Sequence, residues 1–225
     1  MSDKREFIEA YFRSWEDKLD RAKTLIDLDD YIYEGVLVLL CHIGAFSAMR
    51  YPTLKDGEAY KKILIEYSGM EDIFDQIDLL FFYQWPRSKF QDKGNYKLNN
   101  YDEIKSALVD IYGKEEELDP SKRFVKQEEL IVHVAKANIA GFNMKNFKEK
   151  LPLFSLAEIA YRYLRCGAVH NSTLCFIDTN STGDVEEGYI ITKEILYKVL
   201  LNIKDNLAIE CIRLDEFPHE IDKTI

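Results

Sequence analysis

Residues 30–50 are apolar on almost every side of a helix, and a chain that carries such a segment must wrap other elements around it. The segment includes Gly35, Gly44, Ala45, Ser47 and Ala48, which cost helix propensity. Small side chains let a neighbouring helix come close, so the pattern predicts a central, buried helix that ends at Tyr51-Pro52. The uninterrupted apolar stretch, Gly35 to Met49, contains His42 and is shorter than the roughly 18–20 residues of a membrane span. The expectation is a core helix, no membrane and a cytoplasmic location, with no apolar signal core behind Met1-Ser2-Asp3-Lys4.

Amphipathic segments flank it. Phe7, Ile8, Tyr11, Phe12, Trp15, Leu19, Ala22, Leu25 and Ile26 recur at steps of three and four, which predicts one helix over residues 3–28. Two shorter helices are expected over 56–85, broken at Tyr67-Ser68-Gly69 and stopped by Trp85-Pro86. Residues 86–97 read as a polar loop, 99–112 as a helix, 114–123 as a polar linker and 126–140 as another helix. Ser155-Leu156-Ala157-Glu158 is a capping box, which opens a helix running to about residue 170. Beyond it, Thr173–Thr179 and Gly188–Ile191 read as a small β-hairpin around Asn180-Ser181-Thr182-Gly183-Asp184. Thr192 then caps a last helix with the stripe Ile195, Leu196, Val199, Leu200, Ile203, Leu207 and Cys211. The 225 residues suit one domain carrying a helical insert, placed at 51–150.

Composition narrows the function classes. The net charge of −10 repels polyphosphate at long range and argues against coating of nucleic acid by the whole surface. The four cysteines, Cys41, Cys166, Cys175 and Cys211, lie among apolar residues without C-x-x-C spacing, so buried reduced thiols are expected and no zinc site. No phosphate-cradling glycine loop, G-x-S-x-G elbow or H-E-x-x-H stands in the chain. Neither a metal nor a cofactor is expected. Among the histidines, His42 and His133 sit in apolar helices as core residues do, and His219 sits in a charged tail.

His170 stands apart. It ends the capped helix in Tyr161-Arg162-Tyr163-Leu164-Arg165-Cys166-Gly167-Ala168-Val169-His170-Asn171-Ser172. Arg162, Cys166 and His170 share a face, whereas Arg165 is five residues from His170, about 140° round an ideal helix. Convergence of Arg165 and His170 needs a kink near Gly167, fraying or a partner subunit. Two readings fit these residues. In one, a helix-terminal histidine answers the helix dipole and arginines snorkel from a core helix. In the other, the set performs RNA phosphodiester cleavage: an imidazole, which titrates near neutrality, moves a proton, and a guanidinium holds phosphate oxygens. A reactive Cys166 thiol one turn from His170 is a further alternative.

The stretch Tyr163 to Asn171 resembles the signature of the HEPN superfamily, in which an arginine, then four to six residues, then a histidine end one helix of a small bundle, and a long final helix follows. The resemblance covers 155–212 closely and 3–50 as generic helices. It implies an all-α, HEPN-like bundle, a homodimer whose two motifs form one cleft, and a metal-independent endoribonuclease. Arg165 would neutralise the phosphate and His170 serve as acid or base, with Arg162, Asn171 and Ser172 as substrate-binding candidates. A toxin–antitoxin or phage-defence setting, with an antitoxin or other protein partner, is implied as well. The acidic charge and Cys166 also fit a non-catalytic nucleotide-binding or protein-interaction module of the same fold.

Overall fold

The computed structural model describes residues 3–85, 98–174, 177–178 and 191–221. The chain is mostly helical. In order it forms α1 (Asp3–Arg13), α2 (Glu16–Asp27), a 3₁₀ turn (Asp29–Tyr31), α3 (Ile32–Arg50), α4 (Asp56–Tyr67), the single turn α5 (Glu71–Phe74), β1 (Ile77–Asp78) and α6 (Leu79–Gln84). It continues through α7 (Tyr101–Tyr112), β2 (Phe124–Val125), α8 (Gln127–Lys136), α9 (Met144–Lys150), a 3₁₀ turn (Leu151–Phe154) and α10 (Leu156–Ile159). A π-helical segment (Ala160–Arg165), α11 (Cys166–Asn171), β3 (Ile177–Asp178), β4 (Ile191–Thr192) and α12 (Lys193–Leu214) complete it.

Two compact units result: Met1–Glu71 with Ala160–Ile225, and Asp72–Ile159. The insert therefore begins later than the 51–150 read from the sequence. The reason is α4, which buries Ala59, Tyr60, Ile63 and Leu64 and packs on α3 and α12 in the first unit.

Helix α3 is the axis of the first unit. Val36, Leu39, Leu40, Ile43 and Phe46 are fully buried, and α2, α4 and α12 pack on it. Together with the preceding turn, Asp29–Arg50, it is long and apolar enough to cross a membrane by length and composition alone, and here it is packed as a bundle helix. Gly35 meets the end of α2 so closely that an added Cβ would lie 2.6 Å from Ile26 Cγ2. Lys193, itself buried, donates to the Ile26 carbonyl at 2.8 Å and supplies an acceptor-rich helix end with a cation. Asn202 and Asn206 of α12 donate to the carbonyls of Ser68 and Tyr67, which close α4.

The helix expected over 3–28 is broken at Ser14-Trp15. Ser14 Oγ bonds the Tyr11 carbonyl, and the break lets Trp15 turn inward against Phe46, with ring centroids 4.4 Å apart. The β-hairpin before the last helix is also corrected. Ile177 and Asp178 pair with Ile191 and Thr192 in parallel, which a tight hairpin turn cannot produce. Its expected turn, 180–184, and the polar loop 86–97 lie outside the described residues.

In the second unit, β1 and β2 pair antiparallel, Ile77 opposite Val125. Asp78 there is 1% exposed, caps α6 through the Phe81 amide and receives both Nε and Nη2 of Arg123, at 2.8 and 2.7 Å. Phe82 and Trp85 each meet Phe154 edge to face in the same unit.

Of the cysteines in the described residues, Cys211 is buried, Cys166 half-buried and Cys41 exposed, and all three are free thiols. The expectation of burial thus fails for Cys41, which lies on the outer side of α3, and Cys175 lies outside the described residues.

Candidate functional site

The motif helix is not a regular α-helix. Over Ala160–Arg165 its backbone takes the wider i→i+5 pairing of a π-helix, and α-helical geometry returns from Cys166. Gly167 lies within α11. Tyr161 and Arg165, four residues apart, both reach Asp56 in the first turn of α4.

Arg165 Nη1 donates to Asp56 Oδ2 at 2.7 Å, and Nη2 donates to Oδ1 at 3.3 Å. The Tyr161 hydroxyl donates to the same Oδ2 at 3.0 Å. The guanidinium packs against two neighbouring aromatic rings, 5.1 Å from the Tyr60 centroid and 5.4 Å from that of Tyr161, whose own centroids are 5.6 Å apart. Gly44 of α3 forms its floor: a Cβ there would stand 3.4 Å from both Nε and Nη2. Gly57 makes room for Tyr161, since a Cβ at residue 57 would lie 2.6 Å from its ring.

Electrostatics follow from this packing. Burial works against the charge of Arg165, but the Asp56 carboxylate and the two phenols outweigh it, so its pKa is raised. Burial, then the hydrogen bond to Asp56, pushes the Tyr161 phenol up to about 12, and it remains a donor at neutral pH. Burial raises the Tyr60 phenol as well. Among the described residues, Arg165 Nε and Tyr60 Oη are buried without a hydrogen-bond partner.

The other motif residues lie apart from this cluster. His170 and Asn171 are exposed at the end of α11, and exposed Ser172 takes a left-handed conformation just beyond. The Gly167 carbonyl accepts from the amides of both Ser172 and Thr173, which closes the helix in a wide turn. Tyr33 of α3 donates to the Ala168 carbonyl at 2.7 Å and pins this end to the bundle. Arg162 and Cys166 are half-buried. His170 shares no hydrogen bond or ion pair with Arg165 in the single chain. The structure thus joins Arg165 to Asp56, Tyr60 and Tyr161, three residues the sequence reading did not single out as a site. Asp56-Gly57 opening a helix was the available signal, and by itself it is a common helix start.

Elsewhere, a groove of about 570 Å³ between α7 and α8 is lined by Glu103, Ser106, Asp110, Ile111, His133 and Lys136, and contains no motif residue. Among the described residues no group of three or more His, Cys, Asp or Glu side chains gathers as metal ligands would. Comparison with protein-family models, with curated proteins and with solved structures finds no match to this chain.

Proposed function

We propose that the end of the motif helix is an RNA phosphodiester-cleaving site of the HEPN type, a metal-independent endoribonuclease working in the cytoplasm. The observation that supports it is a guanidinium, Arg165, already paired with an oxyanion through two hydrogen bonds, about one and a half turns before an exposed imidazole, His170. In the reaction, His170 removes the proton of a ribose 2′-hydroxyl or returns one to the departing 5′-oxygen. The 2′-oxygen attacks phosphorus, the bond to the 5′-oxygen breaks, and a cyclic phosphate and a 5′-hydroxyl result. Arg165 neutralises the charge that builds on the phosphoryl oxygens. Arg162, Asn171 and Ser172 border the strand. Since the two principal side chains do not meet within one chain, this reading assigns a second copy, so that a homodimer completes the cleft. Control by an antitoxin-like protein partner belongs to the same reading.

The experiment is incubation of the purified chain with diverse RNAs in excess EDTA. The expected result is cleavage that disappears in His170→Ala while circular dichroism stays native. Intact RNA throughout, or cleavage that persists in His170→Ala, overturns the reading.

The engagement of Arg165 with Asp56 favours a second reading, a non-catalytic nucleotide-binding or protein-interaction module in which Arg165 is structural. That module would show no turnover but a saturable shift in melting temperature with its ligand.

A further inference from the structure

Three donors converge on one carboxylate at the start of α4. Arg165 Nη1 and the Tyr161 hydroxyl meet Asp56 Oδ2, and Arg165 Nη2 meets Oδ1. The Tyr60 and Tyr161 rings and Gly44 pack on the guanidinium, and the Tyr161 ring occupies the space a Cβ at Gly57 would need. A planar fork and a hydroxyl fixed around two oxygen atoms are the recognition set for a phosphate group as much as for a carboxylate.

The carboxylate is the loose member. The Asp56 side chain is 55% exposed, against 19% for Arg165, so the anion lies on the solvent side of the cation. A half-exposed carboxylate keeps much of its hydration when it leaves, and such pairs hold weakly. Arg165 Nε and Tyr60 Oη are also buried and unpartnered among the described residues, so Asp56 does not satisfy every polar atom of the cluster.

We propose that Arg165 and Tyr161 form an oxyanion-binding site whose resident occupant is Asp56, and that a phosphate group displaces this carboxylate when it binds. The identification of that phosphate as part of an RNA strand rests on the proposed function, whereas the site and its internal competitor do not. Asp56 is then a built-in antagonist: it orders the donors in the free protein and must be exchanged for substrate.

The test is calorimetric titration of the full chain with inorganic phosphate, and separately with a 2′-deoxy oligonucleotide that cannot be cleaved by 2′-hydroxyl attack. Removing a like-charged competitor tightens anion binding, so Asp56→Ala is expected to bind phosphate about tenfold more tightly than wild type, and Asp56→Asn about threefold. Adding Arg165→Ala to Asp56→Ala abolishes the gain, and adding Tyr161→Phe removes part of it. Oligonucleotide and inorganic phosphate gaining alike places the recognition in the phosphate alone, and a larger gain for the oligonucleotide places it in a strand. Unchanged or weaker phosphate binding in natively folded Asp56→Ala or Asp56→Asn overturns the proposal. Should neither variant fold, protection of wild-type Arg165 from phenylglyoxal by phosphate supports the site, and failure to protect overturns it. Tighter phosphate binding without RNA cleavage leaves this site standing and removes the nuclease reading, and cleavage without tighter binding does the reverse.

Discussion

Asp56 and Arg165 are 109 residues apart in the chain, yet they meet through two hydrogen bonds, one of them 2.7 Å long. This pair fastens α4 to the motif helix. Because Asp56 is half-exposed, its charge contributes modestly, and a double-mutant cycle of Asp56→Asn with Arg165→Ala is expected to give a coupling of about 0.5–1 kcal/mol. Arg165→Ala alone costs more, roughly 2 kcal/mol, since the side chain also packs against the Tyr60 and Tyr161 rings. Urea denaturation of the four proteins checks both values, and zero coupling would show the pair to be incidental.

Gly57 sits in the first turn of α4, where alanine would ordinarily gain about 1 kcal/mol of helix propensity. Here a Cβ falls 2.6 Å from the Tyr161 ring, and overpacking of this kind costs about 1–3 kcal/mol. Gly57→Ala is therefore expected to lower the melting temperature. In a Tyr161→Ala background the sign reverses and the same change stabilises. Identical effects in both backgrounds would sink the steric account.

In the second unit, removing one member of the buried Asp78–Arg123 pair leaves the other uncompensated, and Asp78 also caps α6. Asp78→Ala is expected to cost roughly 3–5 kcal/mol. A loss under 1 kcal/mol in chemical denaturation contradicts this assignment.

Folding raises several phenols: burial pushes Tyr83 and Tyr161 up to about 12, and burial with a carboxylate partner raises Tyr51, Tyr67 and Tyr112. The unfolded chain loses these protons near pH 10 while the folded chain keeps them. Stability from this source is thus complete below about pH 10 and falls as pH rises through the folded values. Tyrosinate absorbance should then rise together with helix loss in an alkaline titration. Ionisation of all fourteen tyrosines near pH 10 with the helices intact would refute it.

His170 is exposed, and a surface change away from caps and buried networks usually shifts stability by no more than about 0.5 kcal/mol. His170→Ala should melt like wild type, so that any loss of cleavage reports chemistry rather than folding. A large drop in melting temperature would assign His170 a structural part.

Elements that depend on nearest neighbours in the chain were legible. The serine half of the capping box is as read, with Ser155 Oγ accepting the Glu158 amide at 3.2 Å, while the Ser155 amide donates to the Pro152 carbonyl rather than to Glu158. Thr192 caps α12 through the Ile195 amide, and the stripe Leu196, Val199, Leu200, Ile203, Leu207 and Cys211 is buried. The small residues of α3 were read correctly as points of close approach, but what approaches Gly44 is a guanidinium and not a helix. The break at Ser14 and the reach of the insert were not legible, because each depends on which surface a segment meets, Phe46 for Trp15 and α3 with α12 for α4.

The sequence by itself determined that an apolar helix lies at the centre, that amphipathic helices wrap it, and that an arginine and a histidine end one of them. Periodicity and capping are local, and local rules suffice for them. The tertiary structure alone decided that Arg165 faces Asp56 and two tyrosines while His170 faces solvent. That outcome depends on the wide π-helical turn and on contacts more than a hundred residues apart, which no spacing within one segment encodes.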